Sequence, residues 1–294
     1  GITVVLKPAE QSPMSALLLA KRFKQAGAPD GVLNVLNGFG ETVGQALAKH
    51  MDVAKVAFTG STEVGKLMYV YSGQSNMKRV SAECGGKTPN IIMDDVEDLD
   101  VAVQYAVYGI YGNQGEVCNA GSRILVHRDI NESFIEKFAA KTREDFRAGD
   151  PLDPETSLGS LVTKGHQERV LGYINAAEQE GAQLVFGGAV PTGFENGCYV
   201  EPTLFRDVSM KMSVAREEIF GPVAAVVPFS SEEEAIEIAN DTEYGLAAAI
   251  WTTNVKRAHR MAAAIEAGIV WVNCFDHGDM TQPWGGYKQS GHGR

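Results

Sequence analysis

Apolar positions along the chain alternate between two periods, and the alternation predicts strands and helices in turn. Residues 2–6 form a β-branched apolar run closed by Lys7-Pro8, the pattern of a buried parallel strand. Ser12-Pro13 then supplies a capping residue and a first-turn proline, and Ala16, Leu19, Ala20 and Phe23 recur at helical spacing until Gly27. The cycle repeats as strand 32–36 and helix 42–50, then strand 53–58 and helix 62–71, followed by strand 79–83. A parallel, helix-covered sheet is expected. Gly85-Gly86 and Pro89 mark a change of course before strand 90–93, which places a domain boundary near Gly86 and divides the chain into 1–86 and 87–294. Helix 99–111 carries Leu99, Val103, Ala106, Val107 and Ile110 on one face and leads towards Cys118. Strand 124–127, helices 132–146 and 166–180, strand 183–186 and a capped helix from Ser231 to Asn240 make the second half α/β as well.

Composition narrows the function classes. The chain has 294 residues, 44% hydrophobic and 21% charged, with a formal net charge of -11. That acidity opposes binding to nucleic acid phosphates or anionic membranes. No apolar run approaches the ~20 residues that span a bilayer, and no signal-peptide pattern opens the chain, so a soluble cytoplasmic protein is expected. Cys84, Cys118, Cys198 and Cys274 form no CxxC pair, and the six histidines show no metal-ligand spacing, so neither a disulfide framework nor a metal site is indicated.

Three features carry chemistry. Glycines stand at two strand-to-helix turns, Gly38-Phe39-Gly40 with Gly44 and Phe58-Thr59-Gly60-Ser61 with Gly65, where a helix N-terminus suits a dinucleotide phosphate but a plain turn serves equally. Cys84-Gly85-Gly86-Lys87-Thr88 imitates the end of a P-loop, yet Ser81 replaces its first glycine and Pro89 opens a strand where a helix is required. Glu83 closes a strand, and Cys118 follows the loop Gly112-Asn113-Gln114-Gly115. The glycine-rich, polar setting of Cys118 is expected to expose its sulfur and lower its pKa, whereas the other three cysteines read as small apolar residues. Glu217-Glu218-Ile219-Phe220-Gly221-Pro222 pairs two carboxylates with an apolar pair and suits a ligand hydroxyl and ring, or simply a turn.

Six segments in order resemble motifs of the aldehyde dehydrogenase superfamily. They are Lys7-Pro8-Ala9-Glu10, Phe58 to Ser61, Glu83 to Lys87, Asn113 to Cys118, Glu217 to Pro222, and Pro283-Trp284-Gly285-Gly286-Tyr287-Lys288. The resemblance implies part of a Rossmann-type cofactor domain followed by an α/β catalytic domain. It implies that Cys118 attacks the aldehyde carbon to give a thiohemiacetal and then a thioester, with the Cys118 N–H in the oxyanion hole, and that Glu83 is the general base that activates the hydrolytic water. For the cofactor it implies Lys7 and Glu10 on the adenosine ribose and Gly40 under the adenine. Phe58, Gly60, Ser61 and Val64 would line the pyrophosphate turn, with Glu218 and Phe220 at the nicotinamide ribose. Glu10 favours NAD over NADP because a carboxylate repels a 2′-phosphate.

Two departures from the family pattern stand out. Glu116 occupies a position usually held by glutamine, adding negative charge expected to raise the thiol pKa. The family's oxyanion asparagine and its C-terminal oligomerisation strand correspond to nothing in these 294 residues, so the sequence reads as an internal portion of a longer, homodimeric or homotetrameric enzyme. The stretch from Val272 to Thr281 with Trp284 resembles the subfamily acting on γ-glutamyl-γ-aminobutyraldehyde and 4-guanidinobutyraldehyde. Asp276 and Asp279 would offset a cationic tail, and Phe275 and Trp284 would offer it aromatic faces. The expected activity is NAD-dependent oxidation of a small aldehyde to its acid. The alternatives are a catalytically silent cofactor-binding piece, or a relative that hands the acyl group to coenzyme A, against which Glu83 argues.

Overall fold

Strands that are apolar on both faces can satisfy their backbone groups only through neighbouring strands, which drives such runs into a common sheet. The computed structural model describes residues 1–279 and 281–294; Met280, within the stretch read as substrate-related, lies outside the described residues. The chain divides into two compact units, one of Gly1–Thr59 and Glu63–Ala82, the other of Gly60–Thr62 and Glu83–Arg294.

The first unit contains β1 (Val4–Leu6), α1 (Met14–Gln25), β2 (Leu33–Val35), α2 (Gln45–Lys49), β3 (Lys55–Thr59), most of α3 (Thr62–Gly73) and most of β4 (Arg79–Glu83). β1 and β2 pair in parallel, with Val4 opposite Leu33 and Leu6 opposite Val35. Helix 42–50 of the sequence reading is in fact a π-helical turn, Gly40–Gly44, running into α2. The apolar stripe expected to bury α1 does not do so: no residue of α1 is buried, and Leu19 and Phe23 remain 49% and 45% exposed.

The second unit is built on a seven-stranded sheet. In chain order its elements are β5 (Pro89–Ile92), α4 (Leu99–Tyr111), β6 (Arg123–His127), α5 (Asn131–Asp145), α6 (Lys164–Gln179), β7 (Gln183–Phe186), β8 (Thr203–Arg206), α7 (Ser213–Arg216) and β9 (Val223–Phe229). They continue with α8 (Glu232–Asn240), β10 (Tyr244–Gly245), β11 (Ala247–Trp251), α9 (Val255–Ala264), β12 (Ile269–Val272), β13 (Tyr287–Lys288) and β14 (Gly291–His292). The strand order is β12-β11-β5-β6-β9-β8-β7, parallel throughout except for the antiparallel β7–β8 edge. Successive side chains feed two cores. Ile91, Leu125, Val227 and Ile250 pack with Val170 and Ile174 of α6 and Met261 of α9. Ile92, Ile124, Val126 and Ala249 pack with Val103, Val107 and Ile110 of α4 and Phe134 and Phe138 of α5. This is the expected α/β class, with helices on both faces of a mainly parallel sheet.

Arg123 ties the sheet to its helices from within. It is fully buried at the start of β6, and its guanidinium donates to the Ile238 and Ala239 carbonyls at the end of α8, each at 2.8 Å. A cation there satisfies carbonyls that the helix itself leaves unpaired.

Phe138 is fully buried and lies edge-on to Tyr111, with ring centroids 5.7 Å apart. Phe138→Ala is expected to lower stability by about 3–5 kcal/mol in denaturant unfolding of the protein.

Candidate active site

The thiol is carried by a loop whose backbone is forced out of helix. After α4, Asn113 and Gln114 adopt left-handed φ angles of 49° and 58°, and Gly115 follows at 72°. A Cβ on Gly115 would collide with the Gly221 carbonyl, so only glycine lets the two loops approach so closely. The Gln114 carboxamide accepts from Gly159 N–H at 3.0 Å, and Asn119 is 4% exposed, its amide donating to Asp276 Oδ1 at 2.7 Å. Cys118 is half-buried between these anchors.

Burial, then the Glu218 carboxylate, push the Cys118 thiol up, while the backbone N–H groups of Cys118 and Asn119 favour its thiolate; Glu83 also raises it. The lowered pKa expected from a glycine-rich, polar setting is therefore corrected: desolvation dominates. Glu116 is not the charge responsible. Its carboxylate turns aside to accept from Val162 N–H at 3.1 Å and to lie 3.6 Å from His166 Nε2, and burial raises its own pKa.

Glu83 sits where β4 ends. Burial raises its pKa, opposed by a hydrogen bond from Trp284 and the charge of Arg294. Its Oε2 is buried without a hydrogen-bond partner, an acceptor left over for something the protein does not itself supply. Its backbone carbonyl accepts from Gly60 N–H at 3.0 Å, which fixes the Gly60-Ser61 turn to the strand end.

Glu218 lies directly over Gly85 and Gly86. Gly86 N–H donates to Glu218 Oε1 at 3.2 Å, and a Cβ on Gly85 would overlap the same carboxylate. Burial raises the Glu218 pKa against this bond and the charge of Lys87. Lys87 is 2% exposed with no hydrogen-bond partner for its amine, and burial together with the Arg123 charge lowers its pKa to about 7. The sequence presented Lys87 inside a false P-loop and at the end of the Glu83–Lys87 motif, and neither gives its burial.

The other residues singled out from the sequence fall in distinct places. Phe220 is 36% exposed and left-handed at φ 58°. Asp276 is exposed and also left-handed, at 56°. Trp284 stacks obliquely on Trp271 with centroids 6.4 Å apart. Phe275 is 6% exposed, its ring within about 3 Å of where a Cβ on Gly109 or Gly121 would sit and 5.0 Å from Trp271. The aromatic face expected of Phe275 is turned into the core. Non-glycine residues in the left-handed region cost of the order of 1–3 kcal/mol each and concentrate where a site demands them. Here five of the eight such residues fall in the segments that carry Cys118, Glu218 and Asp276, while Met77, Asp207 and Lys288 lie elsewhere.

In the first unit, Lys7 Nζ reaches Glu10 at 3.2 Å and the Gly38 carbonyl at 2.9 Å, and the Glu10 carboxylate is held low by its own backbone N–H and by Lys7. Gly40 has open space around its Cα, Phe39 is 64% exposed, and Phe58 and Val64 are partly exposed. An ionised carboxylate beside an ammonium offers acceptors and a donor to a vicinal diol, so these residues fit the adenosine half of a dinucleotide. Among the described residues no three His, Cys, Asp or Glu are grouped to hold a metal, and no helix is long and apolar enough to cross a membrane.

Residues 1–294 match the model of the Aldehyde dehydrogenase family. The chain belongs to the aldehyde dehydrogenase family. It is 48% identical over 293 residues to an aminoacetaldehyde dehydrogenase of Pseudomonas aeruginosa, covering 100% of this chain and 58% of that protein. Among solved structures, a γ-glutamyl-γ-aminobutyraldehyde dehydrogenase from Burkholderia cenocepacia aligns at 54% identity with a TM-score of 0.96, covering 99% of this chain and 59% of that one. An indole-3-acetaldehyde dehydrogenase in complex with NAD+ aligns at 53% identity with a TM-score of 0.97, again covering 99% and 59%. This aldehyde dehydrogenase chain thus spans under three-fifths of the length of these relatives, and its α/β fold is theirs.

Two predictions follow from the electrostatics. Glu218→Gln removes a carboxylate that raises the Cys118 thiol, so more thiolate exists at neutral pH and iodoacetamide alkylation of Cys118 at pH 7.5 is expected to accelerate a few-fold. Trp284→Phe removes the hydrogen bond that favours ionised Glu83, so the Glu83 pKa rises further. The Glu83 carboxyl titration, followed by 13C NMR, is then expected to move to higher pH.

Proposed function

We propose that the protein oxidises an aldehyde to its carboxylic acid through a covalent thioester on Cys118, with NAD as the acceptor. The observation that carries this reading is the pairing of the Cys118 thiol, faced by the N–H groups of Cys118 and Asn119, with Glu83, whose Oε2 is buried and unpartnered. The Cys118 thiolate adds to the aldehyde carbon, and the oxygen that becomes an oxyanion takes hydrogen bonds from those N–H groups. When bound, the nicotinamide supplies the acceptor for the hydride that leaves the tetrahedral carbon. Glu83 then takes a proton from a water held at its free oxygen, and the resulting hydroxide displaces the Cys118 sulfur and releases the acid. A carboxylate kept partly buried and raised in pKa is a stronger base than a solvated one, which favours hydrolysis over acyl transfer to coenzyme A.

Lys7 and Glu10 would hold the adenosine ribose, and Glu218 the nicotinamide ribose with Phe220 packed beside it. Ionised Glu10 supports NAD over NADP, since a 2′-phosphate would meet like charge. Gly40 fits beneath an adenine, and Phe58, Gly60, Ser61 and Val64 fit a pyrophosphate turn. The substrate is an aldehyde with an amino or guanidino tail. Asp276 supports this choice, as an exposed carboxylate bonded to the residue that follows Cys118, and so do the aminoaldehyde names borne by two of the relatives.

The test is NADH release with 4-guanidinobutyraldehyde and with propanal. Cys118→Ser is expected to abolish release with both. Glu83→Gln is expected to give one NADH per subunit and then turn over about 10²–10⁴-fold slower than the parent, because the thioester forms but is not hydrolysed. Full steady-state turnover by Cys118→Ser, or a preference for propanal, would refute the mechanism or the substrate class respectively.

A further inference from the structure

The segment 217–221 is held along one face of α6, residue by residue. Tyr173 Oη donates to Glu217 Oε2 at 2.7 Å, Arg169 Nη2 donates to the Glu218 carbonyl at 2.8 Å, and His166 Nε2 lies 2.6 Å from the Phe220 carbonyl. Between these polar grips, Ile219 is 2% exposed in the core shared with Val170 and Ile174, and a Cβ on Gly221 would press on the Val170 side chain. His166, Arg169 and Tyr173 are three and four residues apart, so they project from a single helical face. They meet the loop in reverse order, as an antiparallel contact requires.

His166 makes a second connection. A carbonyl can only accept, so Nε2 carries the proton and donates to Phe220. The same nitrogen lies 3.6 Å from Glu116 Oε1, and both side chains are only 12% exposed. Glu116 is two residues before Cys118, and its carboxylate is itself anchored by Val162 N–H just before α6 begins. The start of α6 is fixed in turn by Thr163, whose hydroxyl accepts from His166 N–H at 3.2 Å.

We propose that His166, with Arg169 and Tyr173, is a positioning residue that holds the Glu218–Phe220 segment in its dinucleotide-receiving form and couples that segment, through Glu116, to the loop bearing Cys118. The proposal rests on the reading above that Glu218 and Phe220 meet the nicotinamide ribose. Its physical content is preorganisation. Phe220 is left-handed and partly exposed, a conformation that relaxes without an external hold, and the His166 bond supplies one at its carbonyl. The negative charge of Glu116 has a local partner in this arrangement and is drawn away from the thiol.

The experiment compares His166→Leu and His166→Gln with the parent protein. Peptide-level hydrogen exchange covers the 214–223 region, and NAD affinity is read by tryptophan fluorescence quenching. His166→Leu is expected to speed exchange in that region and weaken NAD binding about tenfold. His166→Gln, which keeps a donor at similar reach, is expected to restore both to within about threefold. Unchanged exchange in His166→Leu overturns the latch. Parent-like NAD affinity in His166→Leu, when the parent binds NAD, overturns the positioning role while leaving the proposed function intact. A parent that does not bind NAD overturns the cofactor reading and this role with it, whereas accelerated exchange alone would still locate the grip on α6. If His166→Leu fails to fold, His166→Gln decides: loss of NAD affinity by a variant that retains a donor refutes the proposal.

Discussion

Desolvation of acidic groups is the constraint around which this site is arranged. Cys118, Glu83, Glu218 and Glu116 all have burial as the first cause of a raised pKa, and all lie within a short stretch of three loops. Burying several acids together is costly unless hydrogen bonds or cations answer them. Each is answered differently: Glu218 by Gly86 N–H and the nearby Lys87, Glu116 by Val162 N–H and His166, Glu83 by Trp284, and the thiol by its own and the next residue's N–H. Of these four, Glu83 retains a buried oxygen with nothing to accept from. Among these four acids, Glu83 is the one on which the proposed water activation rests.

That arrangement depends on rigid supports outside the loop that carries the thiol. The parallel sheet fixes strand ends in register, Arg123 locks the end of α8 from within, and α6 grips the segment that carries Glu218. Glycines at 85 and 115 allow the carboxylate and the neighbouring loop to approach the backbone more closely than any side chain would permit. Loops with this many fixed points are suited to presenting reactive groups without reorganisation, which is where much of the electrostatic advantage of an enzyme lies.

The parts legible in the sequence were those governed by local rules. Strand 79–83 and helix 99–111 emerged with their boundaries because periodicity and punctuation agree there. Strands such as Ala247–Trp251 and Val223–Phe229 passed unrecognised, since alanine-rich or unbroken apolar runs fit a helix as well as a doubly buried strand. The family motifs singled out Cys118, Glu83 and Glu218, but no spacing rule shows that Phe275 turns inward or that Asp276 bonds Asn119, because both depend on a loop brought back over α4 from more than 150 residues away. Desolvation of Cys118 was hidden for the same reason: a polar-looking segment is buried by whatever folds over it.

The left-handed residues Asn113, Gln114, Phe220 and Asp276 bear on how variation in this chain should be interpreted. A β-branched replacement at any of them would be resisted by backbone sterics before its chemistry mattered, while glycine would fit the geometry and loosen the unfolded chain. A saturation scan of these loops would therefore show intolerant positions of two kinds, one set by dihedral angle and one by reactivity. Tolerance to glycine separates them: a position that accepts glycine and rejects valine is shaped by conformation, whereas Cys118 and Glu83, in the roles proposed for them, should accept neither.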